Sequence, residues 1–198
     1  MAFATIDVTK GITGTIPVAN GGTGLASGTS GQYLKFTGST TVASSALSGV
    51  GKILQVLNVE NDSATSTTNA NLQDTALALN ITPSATSSKI FIQIQPQMLI
   101  TSTSDNECGG GFGISREIDD ANNTTVFETK YAYDGLYNQS GGTSADVLRV
   151  YPYVAHLDSP NTTGVCRYKF RIKAYNGDTI KLNESSGRSR MYLFEVGA

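Results

Sequence analysis

The sequence predicts an all-β protein, in which an extended Gly/Thr-rich N-terminal stem or arm precedes a jelly-roll-like β-sandwich that forms a trimer. Three observations support this prediction. Charged residues make up only 15% of the chain, below the usual share of roughly a quarter, and neutral polar residues replace them. Short runs of β-branched and aromatic residues are separated by turn signals at regular spacing. No stretch combines the apolar period of a helix with capping residues.

Residues 52–198 have the strand pattern of the predicted sandwich. Apolar or alternating runs predict strands at 53–59, 76–81, 89–95, 112–115, 125–128, 147–154, 166–175, 179–182 and 191–196. Clusters of Gly, Pro, Asn and Asp predict turns at 109–111, 134–135, 141–142, 158–160 and 176–177. Asn176 and Gly177 lie between two alternating runs, which predicts a type I′ hairpin turn. This spacing is typical of a sandwich or jelly roll.

Residues 1–51 form a separate segment that cannot build a core of its own. Between residues 10 and 33 the apolar residues are single and scattered, and glycines stand at 11, 14, 21, 22, 24, 28 and 31. A flexible linker and a disordered tail are two interpretations. Two short β-prone runs, 13–18 and 32–36, favour a third, a stem that becomes ordered when several copies wrap together. Glycine would let the chains approach closely there.

Charge and hydropathy argue against several classes of protein. A net charge of −2 and a pI near 5.3 do not provide the basic surface that a nucleic-acid-binding protein needs. No apolar run approaches the ~20 residues of a transmembrane helix, so we expect no membrane insertion. The first residues do not resemble a secretory signal. We therefore expect synthesis and assembly in the cytosol, with Cys108 and Cys166 as reduced thiols.

The residues needed for catalysis are not arranged in any motif of an enzyme. Nucleophile–His–acid catalysis needs an oriented histidine, and the single histidine, His156, has no nucleophile motif near it. The sequence therefore predicts no enzyme activity, no cofactor and no metal. Two alternatives stay open. Carboxylates at 105–107, 119–120 and 134 could form a polysaccharide-cleaving pair, or Asp105, Asn106 and Glu107 could bind Ca²⁺ through oxygen ligands.

Two groups of side chains are candidates for contact with a surface ligand. The predicted strand 166–175 places a basic row, Arg167, Lys169, Arg171 and Lys173, on one face and core residues on the other. The basic row could bind acidic polysaccharide, or it could pair with carboxylates on a neighbouring strand or subunit. Tyrosines of the 131–137 loop could contact sugars through flat rings with polar tips. The candidate contact residues are Tyr131, Tyr133, Tyr137, Arg167, Lys169 and Arg171.

The predicted strand 53–59 is apolar on nearly both faces. An apolar outer face on an otherwise polar protein suggests that a partner chain covers it. The glycine-rich stem would also bury little as a monomer, which favours a homotrimer. We therefore predict Ile53, Val56 and Leu57 as residues of the trimer interface.

Two parts of the chain resemble virion proteins of bacteriophages. Residues 13–36, TGTIPVANGGTGLASGTSGQYLKF, resemble a segment of tail-fibre and related proteins in which a "GT-[IL]-PVANGGTG" run precedes a "G-x-x-GQ-x-L" run. Residues 52–198 resemble the C-terminal β-domain of marine and cyanobacterial phage proteins. That similarity rests on ITPSATSSKIFIQI at 81–94, HLDSPNTT at 156–163, YKFRI at 168–172 and MYLFEV at 191–196.

The resemblance implies a trimeric, jelly-roll-like protein of the virion. The implied function is that of a fibre or spike component that contacts the host surface, with a surface glycan as partner. Residues 1–51 would then attach it to other tail or capsid proteins. The chain is short for a tail fibre, which favours an alternative, a capsid decoration or head-fibre protein anchored by this arm. A polysaccharide depolymerase is a third hypothesis, which no motif supports.

Overall fold

The computed structural model of the protein describes residues 14–16, 22–23, 25, 28–39, 41–46, 51–102, 107–131, 134–139 and 147–197. The chain divides into two units, residues 1–50 and 51–198. Within the described residues the helical structure is a single 3-10 turn at Glu184–Ser186. No helix in this part of the chain is long and apolar enough to cross a membrane.

The first unit contains an antiparallel hairpin. Strand β1 (Tyr33–Phe36) pairs with β2 (Val42–Ser45), and the Thr37 N–H donates to the Thr41 carbonyl at 2.9 Å. The β-prone run at 32–36 thus forms a strand. Residues 14–16 of the other run are not in a strand, and positions 13, 17 and 18 lie outside the described residues. A two-stranded hairpin is at most marginally stable alone, and the outer side chains of β1 are solvent-exposed.

The second unit consists of thirteen described strands. They are β3 (Lys52–Asn61), β4 (Thr65–Thr67), β5 (Gln73–Ile81), β6 (Lys89–Gln95), β7 (Met98–Thr101), β8 (Glu107–Ile118), β9 (Ala121–Glu128), β10 (Leu136–Gln139), β11 (Val147–Val150), β12 (Val154–Asp158), β13 (Cys166–Ala174), β14 (Thr179–Leu182) and β15 (Ser189–Gly197). Their pairing is antiparallel throughout. The predicted strands 89–95 and 179–182 have these bounds in the structure.

One layer of the sandwich consists of four chain segments, each of which forms two consecutive strands separated by a bend. The sheet β12-β6-β15-β3 and the sheet β11-β7-β14-β4 have the same segments in the same order. Each segment crosses from one sheet to the other through a short irregular stretch, such as Pro96-Gln97 between β6 and β7. The predicted strand 147–154 is such a segment. It forms two strands because Pro152 cannot donate a ladder hydrogen bond.

The second layer is the sheet β10-β8-β13-β5, in which β9 also pairs with β8. The four bent segments are counted once, and β9 and β10, which pair with successive parts of the same edge of β8, are counted as one strand. The layers then have the strand orders 6-3-8-1 and 2-7-4-5, which is the order of an eight-stranded jelly roll. The predicted all-β sandwich is confirmed. Its core lies between the layers and includes Leu77, Ile92, Ile100, Ile114 and Phe170, none of which has measurable solvent exposure.

Two predicted turns have a different role in the structure. Asn176 and Gly177 have φ angles of 47° and 84°, as a type I′ turn requires, but β13 and β14 belong to opposite layers. The predicted hairpin is therefore wrong, and the turn joins the two layers. The glycines at 109–111 lie inside β8. A Cβ at Gly110 would stand 2.6 Å from Ile180 Cδ1, so glycine allows close packing there instead of a turn.

Candidate functional site

The sandwich has two ends that differ in the residues they expose. At the Lys52 end, Ile53 pairs with Val196 and Ile81 with Cys166. The Gly177 end contains the turn at 175–178, and Thr101 is paired with both Val147 and Thr179 there. Strand β13 has nine residues between these ends, which corresponds to about 30 Å.

The outer face of β12-β6-β15-β3 is apolar at the Lys52 end. Leu157, Phe91, Phe194 and Val56 stand opposite one another in a single row across all four strands. Val196 and Ile53 form the next row toward the end. We call these six residues the apolar sheet face. An open depression of about 440 Å³ on it is lined by Ile53, Phe91, Leu157, Phe194 and Val196.

Two residues of the predicted trimer interface belong to the apolar sheet face, and one does not. Ile53 is 60% exposed and Val56 is 53% exposed, whereas Leu57 packs against the core of its own chain. The inward position of Leu57 follows from the alternation of the strand. A bulge interrupts this alternation, because the register shifts where Glu195 faces Gln55 and Val196 faces Ile53. The exposed Leu54 is the extra residue.

A buried carboxylate lies directly beneath the apolar sheet face. Glu195 stands between Phe194 and Val196 on β15 but points inward, with 1% of its surface exposed. The Ser84 N–H and hydroxyl donate to its Oε1, and Gln55 Nε2 donates to its Oε2 at 2.7 Å. Burial alone would raise the pKa of Glu195, but the hydrogen bonds from Ser84 and Gln55 outweigh it and lower the pKa to about 2.

The outer face of the five-stranded sheet contains the predicted basic row, which is paired with carboxylates of the same chain. Lys169 Nζ lies 2.5 Å from Glu117 Oε1 and 3.2 Å from Asp74 Oδ2. Arg171 Nε lies 2.8 Å from Asp74 Oδ1. The hydrogen bond from Lys169 to Glu117 is the main reason why the pKa of this lysine is raised. Lys169 and Arg171 are thus held by ion pairs with carboxylates on neighbouring strands of the same sheet.

The remaining members of the basic row complete this picture. Lys173 is buried, and its Nζ lies 2.8 Å from Glu128 Oε1. A Cβ at Gly111 would stand 2.7 Å from Lys173 Cε, so the glycine makes room for the lysine stem. Arg167 is half-buried, and its side chain has no ion pair or hydrogen bond to other described residues. Contact of Arg167, Lys169 and Arg171 with a ligand stays a prediction.

Two of the three predicted tyrosines, Tyr131 and Tyr137, lie at the Gly177 end. Tyr137 on β10 stands opposite Gly109 of β8, and its ring packs edge to face against Tyr175, with centroids 6.1 Å apart. Its hydroxyl donates to Glu107 Oε2. Tyr131 is exposed, and its N–H donates to Asp134 Oδ2 at 2.9 Å. Tyr133 lies outside the described residues. The structure separates Tyr131 and Tyr137 from Arg167, which lies at the Lys52 end.

A buried polar cluster links the two layers near the Lys52 end. Arg116 Nη1 and the Tyr168 hydroxyl both donate to Asp158 Oδ2, at 2.5 and 2.7 Å. Burial, and then the hydrogen bond to Asp158, raise the pKa of Tyr168. Cys166 is buried nearby, and burial raises the pKa of its thiol, which makes it a poor nucleophile. The cluster therefore connects β8, β12 and β13 instead of forming a reactive site.

The side chains considered for catalysis or metal binding are not gathered into a site in the described part of the chain. His156 is half-buried in β12, with its ring centroid 5.8 Å from that of Phe127. Among the described residues, no group of three or more His, Cys, Asp or Glu side chains could hold a metal ion. Asp105 and Asn106 of the calcium hypothesis lie outside them, and Glu107 accepts the Tyr137 hydrogen bond.

Comparisons with known proteins give no family. A scan against protein-family models and a search of curated proteins found no match. Similar solved structures include the infectious bursal disease virus VP2 subviral particle, at 12% identity and a TM-score of 0.34, covering 83% of this chain and 42% of that chain. The Gt strain of that virus is another, at 12% identity and a TM-score of 0.31, with the same coverage. These values indicate neither common ancestry nor a shared function.

Sequence reasoning missed most of the apolar sheet face and the surroundings of Tyr137. Phe91, Leu157, Phe194 and Val196 come from three strands, and only their register brings them to Val56. A signal for Tyr137 was present in the three glycines before Phe112. Glycine inside an apolar run marks a close approach of neighbouring groups, and Tyr137 lies over Gly109.

Proposed function

We propose that this protein is a structural component of a bacteriophage particle, a trimeric fibre or spike component that contacts the host surface. The observation that supports it best is that the two ends of the sandwich expose different kinds of side chains. The Lys52 end has an open apolar sheet face, and the Gly177 end has Tyr131 and Tyr137 among its exposed side chains. One end is suited to association between copies, and the other to contact with a polar surface.

We propose other copies of this chain as the occupant of the apolar sheet face. Its six residues are uncharged, although the exposed Lys89 stands beside Val196 at its margin. Because β3 is an edge strand of its sheet, a neighbouring copy can approach it from the side. Residues 1–51 lead directly into β3 at Lys52. Copies that are joined through these residues would therefore bring their β3 strands together around a common axis.

Light scattering of the full chain tests the oligomeric state. The expected mass is three times that of the chain, which is 20.8 kDa. A single species at the mass of one chain would overturn the trimer and leave the apolar sheet face without its proposed occupant.

The hairpin of the first unit favours a second candidate function, a capsid decoration or head-fibre protein. Leu34 and Phe36 of β1 are 53% and 70% exposed. An arm with exposed apolar side chains and little core of its own can become ordered on the surface of another protein. In this case residues 1–51 would lie across neighbouring capsid subunits.

Gold labelling of intact phage with an antibody against residues 52–198 distinguishes the two. Label on the tail supports the fibre or spike component. Label distributed over the head supports the decoration protein, and particles that lack the protein should then lose resistance to heat and osmotic shock. Particles without any label, in preparations where the antibody detects the free protein, would overturn a structural role in the virion.

A further inference from the structure

We infer that Tyr137, Tyr175 and Glu107 form a binding shelf for a neutral sugar ring at the Gly177 end of the sandwich. This inference rests on the proposed contact with the host surface and names the chemistry of that contact. The three side chains come from β10, the turn after β13, and the first residue of β8. The strand register places them together on the outer face of the five-stranded sheet.

The two rings of the shelf are held over a glycine. Tyr137 stands opposite Gly109, and the Tyr175 N–H donates to the Gly109 carbonyl at 3.1 Å. A Cβ at Gly109 would contact both Tyr137 Cδ2 and Tyr175 Cβ at 3.2 Å. The rings therefore approach the backbone of β8 closely and support each other edge to face. A rigid aromatic ring loses little conformational entropy when a ligand stacks on it.

The polar part of the shelf is fixed by the Tyr137 hydroxyl. It donates to Glu107 Oε2, which orients both the ring and the carboxylate. A carboxylate can accept about four hydrogen bonds, so Glu107 retains capacity for sugar hydroxyls. The backbone of β8 beneath the two rings is also held in place, because the Gly109 N–H donates to the buried Asp178 Oδ2 at 2.7 Å. The shelf is thus preorganised before a ligand arrives.

The chemistry of the shelf fits a pyranose ring better than a charged or a purely apolar ligand. A pyranose has a face of C–H groups that stacks on an aromatic ring and a rim of hydroxyls that donate to a carboxylate. Tyr137 is 42% exposed, which leaves part of its ring accessible to such a face. The carboxylate of Glu107 would repel anionic sugars, so the expected ligand is neutral.

Saturation-transfer NMR of the full chain with methyl glycosides of glucose, galactose, mannose, rhamnose and N-acetylglucosamine tests the shelf. At least one glycoside should receive saturation through its ring protons, and Tyr137→Ala should weaken its binding about tenfold. Tyr137→Phe retains the ring but loses the hydrogen bond to Glu107, and its effect should be smaller. Tyr151→Ala, at a tyrosine on the β11–β12 segment that is 60% exposed, against 42% for Tyr137, is the control and should bind as the unaltered chain does.

The absence of saturation transfer to every glycoside would overturn the shelf, and so would equal binding by the Tyr137→Ala and Tyr151→Ala variants. Glu107→Gln tests the carboxylate without removing a ring, in case Tyr137→Ala fails to fold. Gold labelling of the particle is independent of sugar binding. A labelled virion whose protein binds none of the glycosides would therefore overturn the shelf and not the structural role.

Discussion

The two outer faces of the sandwich differ in how their side chains are covered. On the five-stranded sheet, long basic side chains pair with Asp74, Glu117 and Glu128 of the same chain. On the apolar sheet face, Val56 and Leu157 are 53% and 49% exposed among the described residues. The charges of the first face are paired within the chain, whereas no described side chain of the second unit covers the exposed residues of the apolar sheet face.

This difference teaches that strand pattern alone does not reveal which outer face is paired within its own chain and which is left exposed. The basic row had the appearance of a ligand site, but cross-strand pairing accounts for most of its charge. The apolar row is the less conspicuous pattern, and yet it is an uncovered patch of the kind that marks association. Substitutions on the first face should therefore change stability, and those on the second face should change assembly.

The largest expected effect is the loss of the proposed trimer on Val56→Asp. A charge at the centre of the apolar row would be buried without a partner when copies associate. The mass in light scattering should fall to that of one chain, and the unfolding midpoint of that single chain should hardly change, since Val56 is exposed.

Asn58→Asp is the matched control for Val56→Asp, because Asn58 is exposed on the same strand and points outward one row away. This variant should remain a trimer. Equal dissociation of both variants would mean that any added negative charge disrupts assembly, and the apolar row would lose its special role.

On the other face, Lys169→Met should lower the free energy of unfolding by about 1–3 kcal/mol without changing the mass of the assembly. The lysine side chain is only 13% exposed, and its loss leaves Glu117 without its cation. Urea unfolding measures this change. Arg167→Met, on the same strand face, removes no ion pair among the described residues and should cost less. A larger decrease in the free energy of unfolding for Arg167→Met than for Lys169→Met would contradict the conclusion that the ion pairs of this face stabilise the fold.

Glu195 provides a smaller, pH-dependent effect beneath the apolar sheet face. Its pKa of about 2 in the folded chain lies below the usual value of 4.5, so the charged form stabilises the fold above pH 4.5. This contribution, on the order of 3 kcal/mol, is lost as pH falls through the folded pKa. Glu195→Gln should reduce the decrease in unfolding free energy between pH 5 and pH 2. An unchanged pH dependence would show that Glu195 is not held as described.

The smallest effect is expected for Arg188→Ala, at the polar end of the same sheet. Arg188 Nη1 lies 3.0 Å from Glu60 Oε2, but both side chains are exposed, and water and salt screen such pairs. The midpoint of urea unfolding should move by an amount close to the error of the measurement. A clear shift of the unfolding midpoint that disappears at high salt would show that this exposed ion pair stabilises the fold more than is expected for a pair screened by solvent.

Much of the local structure could be predicted from the sequence, because it depends on neighbouring residues. The strands at 89–95 and 179–182 have the predicted bounds, and Tyr168, Phe170 and Ile172 face the core as their alternation requires. The turn at 176–177 forms with positive φ angles. What could not be predicted is which strands a turn connects, since a turn of one type can join two strands of the same sheet or two strands of different layers.

By itself, the sequence determined an all-β fold in which β13 has one apolar and one basic face, because side-chain alternation is a property of each strand. Tertiary structure alone decided that Phe91, Leu157 and Phe194 meet Val56, and that Tyr137, Tyr175 and Glu107 meet over Gly109. These sets come from strands far apart in the chain. Only the register of paired strands fixes which side chains become neighbours, and that register is set by burial of the whole core.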